Sequence, residues 1–347
     1  MAFPVDTTVS RLGQQHKAGE SRALFMKLFS GEVLTTFHNN KIALALTKVR
    51  TIKNGKSASF PIMGKTSAKY HTPGQLIDGN KIEHAERTVV IDDIAVSPVF
   101  IADIDDAMRH YDVRAHYSQE CGESLQELVD RNIFRMVAKA AAITDKTAAA
   151  AAGLNPIDDE VYTPNITLAA ANDEFDGAKI VNAIFKARTA LRKANIKEKA
   201  VVVLPPEQYE ALVNVADTNK VAWLNKDVGG VGSVGTGTIP YVAGLPIYET
   251  NNLPQANESA GLIDQPEPLA DAAVGSGNQA KYRGDYSDVV GLIFTESAVA
   301  TTKLMDLSMV HVPEPLRLGD TVMAKLAVGH DILRPCCAIA IYKAPTV

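Results

Sequence analysis

Residues 112–143, DVRAHYSQECGESLQELVDRNIFRMVAKAAAI, carry the clearest periodic pattern in the chain. Apolar side chains recur there at steps of three and four residues, which is the spacing of one helix face. The stripe comprises Val113, Tyr117, Cys121, Leu125, Leu128, Val129, Ile133, Met136, Val137 and Ala140. Asp112 is a suitable N-cap. A helix over the whole segment would be about 45 Å long, which suits the backbone of an extended domain better than a small globular core.

The segments that follow predict a compact α+β region. Residues 175–196 predict an amphipathic helix with Ile180, Ile184, Phe185 and Leu191 facing inward. After it, AVVVLPP predicts a short buried strand, PEQYEALVNV a short helix that begins near Pro206, and IPYVAGLPIYETNNLP a strand, a turn and a strand. From residue 289 onward, two long stretches rich in Val, Ile, Thr and Leu predict extended strands.

The N-terminal quarter of the chain differs from the rest. Residues 1–20 predict a flexible arm, and residues 21–40 a helix that ends near Asn39 and Asn40. Residues 50–97 have turn residues between two extended segments, as in a long hairpin. The stretch 81–88 is apolar on neither face. We therefore expect this hairpin to bury little against its own body, to project outward and to lie on another surface.

Composition excludes several classes of protein. The 347 residues are 46% hydrophobic and 22% charged, which is ordinary for a globular chain. No apolar run is long enough to cross a membrane, and the N-terminus lacks the pattern of a secretory signal. Three cysteines cannot form a disulfide framework. We expect an intracellular site of folding with reduced thiols.

Charge is distributed unevenly around a net value of −5. Residues 1–60 carry nine basic and three acidic side chains, whereas residues 227–280 carry six acids and no Lys or Arg. Such a basic arm and acidic region are typical of a protein whose parts meet other surfaces. Solvated faces without partners are the alternative that charge alone leaves open.

Two glycine-containing segments resemble nucleotide-binding loops only by pattern. GGVGSVGTG at 229–237 contains the spacing of a dinucleotide fingerprint, but strand-like residues follow it where a helix is required. We expect a surface loop there. The GKS sequence at 55–57 lacks the upstream glycine of a phosphate loop, because that position is Arg50.

Clusters of titratable residues favour structural roles. His110 and His116 lie six residues apart, which places them on different faces of a helix and makes joint metal binding poor. Asp103, Asp105 and Asp106 could serve acid–base chemistry, but they precede a predicted helix, where acids complement the helix dipole.

Two adjacent cysteines near the C-terminus are the remaining candidate for chemistry. Cys336 and Cys337 with His330 offer three ligands, whereas structural zinc takes four. Adjacent residues on a strand point to opposite faces, so both thiols would not reach one ion. We expect small buried packing residues in a final strand. No catalytic, cofactor or metal site is therefore predicted, and the chain is interpreted as a non-enzymatic subunit whose projecting elements contact neighbours.

Segments spread in order over nearly the whole chain resemble a known family. They include IADIDDAMRHYDVRAHYSQECGESL, VVGLIFTESAVATTKLMDL and AKLAVGHDILRP at 101–125, 289–307 and 324–335. Shorter ones lie at 24–37, 55–64, 70–78, 186–196 and 243–254. On these residues the sequence resembles the major capsid proteins of short-tailed phages of the T-seven group (autographiviruses).

The resemblance implies the Hong Kong 97 phage capsid fold, an α+β architecture. The implied parts are an N-terminal arm at 1–49, an extended hairpin loop at 50–97, a peripheral domain at 98–155 and 295–330 with a long spine helix, and an axial domain at 156–294 and 331–347. The residues expected to contact other subunits are Lys56, Lys65, Glu83, Glu86, Arg87, Arg109 and Arg334. Relatives commonly carry glutamate where this chain has Cys336, so a contact made by that acid is in doubt here.

The resemblance also implies a function. Such subunits form hexamers and pentamers that close an icosahedral shell around double-stranded phage DNA, held without sequence specificity. Implied partners are a scaffolding protein, a portal protein and, in some phages, decoration proteins; no membrane is involved. The implied location is the virion capsid, after assembly in the bacterial host cytoplasm. An encapsulin-type compartment that shares the fold, and a soluble enzyme, are the alternatives.

Overall fold

The computed structural model describes residues 33, 42–77, 79–102, 114–155, 157, 160–213, 241–263 and 280–345. Several features discussed above lie outside these residues. They are the N-terminal arm with nearly all of its expected helix, the aspartates at 103–106, Arg109, His110, Asp112 and the glycine loop at 229–237.

The described part of the chain mixes helices and strands, as expected. The α-helices are α1 (Arg114–Ala142), α2 (Lys146–Ala151), α3 (Gly177–Lys193) and α4 (Pro206–Val213). The strands are β1 (Lys48–Thr51), β2 (Ser57–Met63), β3 (His84–Val90), β4 (Ala95–Ala102), β5 (Ile166–Thr167), β6 (Ala200–Leu204), β7 (Tyr241–Val242), β8 (Leu245–Glu249), β9 (Val289–Thr295), β10 (Val299–Glu314), β11 (Gly319–Ile332) and β12 (Ala338–Tyr342). Short 3-10 turns lie at Ala43–Leu46, Asp173–Phe175, Ala280–Tyr282, Pro315–Arg317 and Pro335–Cys337.

The strands form three sheets. A six-stranded sheet has the order β5-β12-β9-β6-β8-β7, a four-stranded sheet the order β1-β10-β11-β4, and β2 pairs with β3 alone. Within the six-stranded sheet, β12 is antiparallel to β9 and parallel to β5. The C-terminal strand β12 therefore joins a sheet whose other strands lie in residues 166–295. The resemblance assigns nearly all of these residues to the axial domain.

The long helix predicted from residues 112–143 is confirmed as α1, whose 29 residues span about 44 Å. Of the expected stripe, Cys121, Leu125, Val129, Ile133, Met136, Val137 and Ala140 are buried, while Tyr117 is partly exposed. Every residue from 132 to 138 is buried, so this part of the helix is covered on all sides. Phe134 there packs edge-to-face on Phe294 of β9, with ring centroids 6.5 Å apart.

The six-stranded sheet and α3 share one apolar core. Ile180, Ile184 and Leu191 of α3 pack with Val202 and Ile293 of the sheet. The expected inward position of Phe185 is wrong, because its side chain is 48% exposed. A helix of 3.6 residues per turn places Phe185 100° from Ile184, beyond the edge of the buried stripe.

The chain divides into two units. Among the described residues, the first holds segments from Ile94–Glu127 and Met305–Ala327, where β4 pairs with β11 in antiparallel register. The second holds Ile42–Asp93, Leu128–Leu304 and Val328–Val347, with the six-stranded sheet, α3 and the β2–β3 hairpin.

Candidate functional site: the hairpin and the exposed assembly surfaces

The base of the β2–β3 hairpin packs on its own chain. Ala58, Phe60 and Ile62 alternate inward along β2 and share a core with Ile157 and Leu333. The expectation that the hairpin buries little against its own body is therefore wrong for its strands. It rested on residues 81–88, whereas β2, with its strict alternation, supplies most of the apolar face.

The loop between the two strands is exposed. Its base is closed by the backbone N–H of Gly64, which donates to the carbonyl of Glu83 at 2.8 Å. Between them, Tyr70, Leu76 and Ile77 present large apolar side chains almost entirely to solvent. Three large exposed apolar side chains on one loop are typical of a contact with another surface. We call residues 65–82 the hairpin tip.

The predicted contact residues on the hairpin fall into two groups. Lys56, Lys65 and Glu86 are exposed, and Glu83 is partly buried with Lys81 3.6 Å from its carboxylate. Lys65 Nζ donates to the carbonyl of Ala194 at 3.4 Å. Among the four, Lys56 and Glu86 are exposed, whereas Lys65 and Glu83 already have contacts within the chain.

Arg87 belongs to the second group, because its guanidinium is buried inside the chain. Its Nη2 donates to the carbonyl of Asn155 at 3.0 Å. Burial lowers the pKa of Arg87 despite the opposing field of Glu160. The contacts of this charged group within the chain tie β3 to the segment that follows α2.

Arg334 is also engaged within its own chain. Its Nε lies 3.0 Å from Glu160 Oε1, and the carboxylate is almost buried. Burial acts to lower the pKa of Arg334, but the hydrogen bond and charge of Glu160 hold it above its ordinary value. The pair lines a cavity of about 550 Å³ together with Glu198.

The two cysteines line the same cavity, and the structure corrects their expected geometry. Cys336 and Cys337 lie in a 3-10 turn just before β12, not in the final strand. The turn points both thiols the same way, with Sγ atoms 3.9 Å apart. They are buried, as expected. The hydrogen bond with Cys337, together with burial, raises the pKa of Cys336, which keeps that thiol protonated.

A second exposed apolar surface, at the turn between β10 and β11, was not predicted from the sequence. At the turn between β10 and β11, Leu316 and Leu318 project into solvent, while Glu314 accepts a hydrogen bond from Thr321 and lies 3.2 Å from Arg317. Leucines in the short PEPLRLGD connection were the available signal, since such a turn ordinarily carries polar residues.

The described part of the chain contains neither a metal-ligand cluster nor a helix that could span a membrane. No group of three or more His, Cys, Asp or Glu side chains there is arranged to hold an ion. Among the described helices, none has both the length and the hydropathy to cross a bilayer. The described surfaces include an exposed apolar loop in one unit and an exposed apolar turn in the other.

Comparison with known proteins identifies the class first. The fold is that of phage capsid proteins of the Hong Kong 97 type. The capsid structure of the cyanophage P-SCSP1u superposes with a TM-score of 0.69 at 35% identity, covering 96% of this chain and 97% of that one. The mature capsid of bacteriophage PhiM1 gives a TM-score of 0.65 at 16% identity over 89% and 88% of the two chains, which shows the fold alone.

The chain belongs to the Gp10A-like major capsid protein family, whose family model matches residues 59–342. The major capsid protein of Escherichia phage T7 is 34% identical in an alignment of 336 positions that covers 93% of this chain and 93% of that protein. The resemblance seen in the sequence is thereby confirmed. These relatives are phage capsid proteins, so the encapsulin-type alternative gains no support from them.

Proposed function

We propose that this chain is the repeating subunit of a closed icosahedral shell that forms from hexamers and pentamers around double-stranded phage DNA. Membership of the major capsid protein family supports this proposal. The observation that carries it is the hairpin tip, where Tyr70, Leu76 and Ile77 are held in solvent on a base that is itself packed. An apolar loop on a rigid base is suited to lie on a neighbouring subunit.

A closed shell requires repeated contacts between different surfaces of the same chain. The hairpin tip supplies one such surface, and the exposed charges of Lys65 within it and of Glu86 near its base fix the register of the contact. Lys56 is exposed at the opposite end of β2. Obligate interfaces of this kind bury on the order of 2,000 Å² or more. The subunit acts as a structural component of the virion and carries no catalytic role.

Assembly in the host cytoplasm would use further partners. The proposal includes a scaffolding protein that guides closure, a portal protein at one vertex and decoration proteins where a phage carries them. DNA is held without sequence specificity. A subunit with a net charge of −5 neutralises few phosphates overall, which suits a container from which DNA must leave.

Electron microscopy of the chain expressed with its scaffolding protein tests the proposal. Wild-type protein is expected to give closed shells of uniform size. The matched variant replaces residues 65–82 with a short Asn-Gly turn, because Gly64 and Glu83 already meet at the base of the loop. This change leaves Phe60 and Ile62 in their core, so the variant should fold as a subunit but fail to close shells. Normal shells from the variant, or a soluble small oligomer from the wild type, would contradict the proposal.

A further inference from the structure

One helix of the chain carries an unbalanced positive charge. Residues 177–199, which hold α3 and the segment after it, contain seven Lys or Arg side chains and a single acid, Glu198. The whole chain has a net charge of −5, so this segment runs against the general balance. The cations are Lys179, Lys186, Arg188, Arg192, Lys193, Lys197 and Lys199. Six of them are exposed, and Arg188 is partly buried.

Three of these lysines form a line along the helix. Lys179, Lys186 and Lys193 recur every seven residues, so each lies within about 20° of the previous one around the axis. Over 14 residues the line extends about 21 Å. The opposite side of α3 is buried through Ile180 and Ile184, so the line faces away from the core.

The other four cations surround a hollow near the C-terminal end of α3. Arg188, Arg192, Lys197 and Lys199 line a cavity of about 610 Å³. The acid beside them is already engaged, because Glu198 accepts hydrogen bonds from Ser297 Oγ at 2.6 Å and from Thr295 Oγ1 at 2.8 Å. Among the described residues, none of the seven cations lies in an ion pair with a carboxylate.

Local electrostatics explain only part of this pattern. Arg192 and Lys193 lie in the last turn of α3, where cations complement the helix dipole. Lys179 lies in the first turn, where the dipole disfavours a positive charge. The capping carboxylate of Asp176 can offset that one charge, but it lies beyond the reach of Lys186. Neither the helix dipole nor the cap therefore balances the charge of Lys186 at the middle of the line.

We infer that this cationic face of α3 binds the phosphate backbone of double-stranded DNA, and hence that it lines the interior of the shell. The inference rests on the proposed function. Duplex DNA presents about one negative charge per 1.7 Å of axis, so a line of about 21 Å meets several phosphates at once. Lysine is depleted at the centres of protein–protein interfaces, whereas Lys and Arg dominate contacts to phosphate. An acidic protein segment is the competing occupant.

Fluorescence anisotropy with a labelled 30-base-pair duplex of arbitrary sequence tests the inference on the full-length subunit. The variant K179Q/K186Q/K193Q is compared with K48Q/K53Q/K69Q, which removes three exposed lysines elsewhere. The α3 variant should bind about tenfold or more weakly at low salt, and its slope of log affinity against log salt should fall by up to about 2.7. Equal loss in both variants would overturn the inference. So would a loss of polyglutamate binding with duplex binding unchanged.

A second measurement on assembled particles separates this inference from the proposed function. Lysine acetylation followed by mass spectrometry should find Lys179, Lys186 and Lys193 protected in DNA-filled shells and reactive in empty shells opened to the reagent. If the three lysines react as readily in intact filled shells as in opened empty shells, the face lies outside. That result would overturn the inference while leaving shell formation intact. Absence of shells from wild-type protein, seen by electron microscopy, would instead count against the proposed function.

Discussion

Arg135 Nε lies 2.6 Å from Glu258 Oε2, and both side chains are almost completely buried. A second bond joins Arg135 Nη2 to Glu258 Oε1 at 2.9 Å, so the guanidinium meets the carboxylate through two parallel hydrogen bonds. The pair fixes the buried part of α1 to the segment after β8. The sequence gives no local signal for this ion pair, because 123 residues separate its two members.

Breaking this pair should be costly. Glu258→Ala leaves a buried guanidinium without its carboxylate, and we expect the free energy of unfolding to fall by about 3–5 kcal/mol. Urea denaturation monitored by circular dichroism measures the change. The control is Arg317→Ala, which removes a largely exposed ion pair with Glu314 and should cost no more than about 1 kcal/mol. Equal effects of the two changes would contradict this account of the core.

Acid sensitivity should come partly from His330. Its ring is completely buried, Nδ1 lies 3.0 Å from Thr301 Oγ1, and Nε2 has no hydrogen-bond partner. Burial, helped by the charge of Lys281, lowers the pKa of His330 to about 3. The unfolded chain, with a histidine pKa near 6.5, binds the proton more readily. The contribution of neutral, buried His330 to the free energy of unfolding is therefore fully present above about pH 6.5, and it is lost progressively as pH falls toward 3.

The variant His330→Leu should show a weaker pH dependence. Between pH 7.5 and pH 5, the wild-type free energy of unfolding should fall by about 2 kcal/mol more than that of the variant. Thr301 keeps a partner in the variant, since Thr47 Oγ1 lies 3.3 Å away. Asp92 and Asp331, whose pKa values burial raises, contribute with the opposite sign in both proteins. His84→Leu, at an exposed position, serves as the control.

Gly329 should tolerate no side chain. A Cβ atom there would overlap the carbonyl oxygen of Val90 and lie 2.7 Å from Ile91 Cα, both of which are backbone atoms that cannot rotate away. Gly329→Ala should destabilise the subunit by about 3 kcal/mol or more. Gly261→Ala is the matched control, because its Cβ would meet no atom within 4 Å. That change should be neutral or stabilise by up to about 1 kcal/mol. Thermal unfolding of both variants checks the contrast.

The apolar side chains of the hairpin tip should matter for assembly and not for folding. The triple variant Y70S/L76S/I77S removes exposed groups only, so its unfolding temperature should equal that of the wild type. The yield of closed shells should drop at least about tenfold, because each contact between subunits loses the apolar area that these three side chains would bury. Phe175→Ser, at another exposed aromatic position, is the control. A full yield of shells from the triple variant would show that these side chains are not part of the contact.

Periodic segments were predictable from the sequence because the spacing of apolar residues along a helix or strand shows which face is buried. The stripe from Cys121 to Ala140 specified α1, and the apolar run of AVVVL specified β6. Gly244 also indicated the turn between Val242 and Leu245, because a two-residue hairpin turn requires positive φ, which glycine adopts without strain. Ala243 adopts positive φ as well, which its residue type does not favour. The family resemblance added what no local pattern contains, the fold class of the whole chain.

Other features were decided by neighbours that are distant in the chain. Arg87 was expected to contact another subunit, whereas its guanidinium is buried within the chain, where β3 packs on the segment containing Asn155. Cys336 and Cys337 were assigned opposite faces of a strand, but Pro335 begins a 3-10 turn that brings their sulfur atoms together.

The sequence by itself determined the elements and the family, since helix and strand periods and the family segments are local and ordered along the chain. Only the tertiary structure decided which charges are internal and which are free. Arg135, Arg87 and Arg334 meet acids or carbonyls contributed by residues 68 to 174 positions away, whereas the lysines of α3 find no acid among the described residues. The reason is physical: the environment of a charge depends on the chain that folds over it, and that information lies in long-range packing.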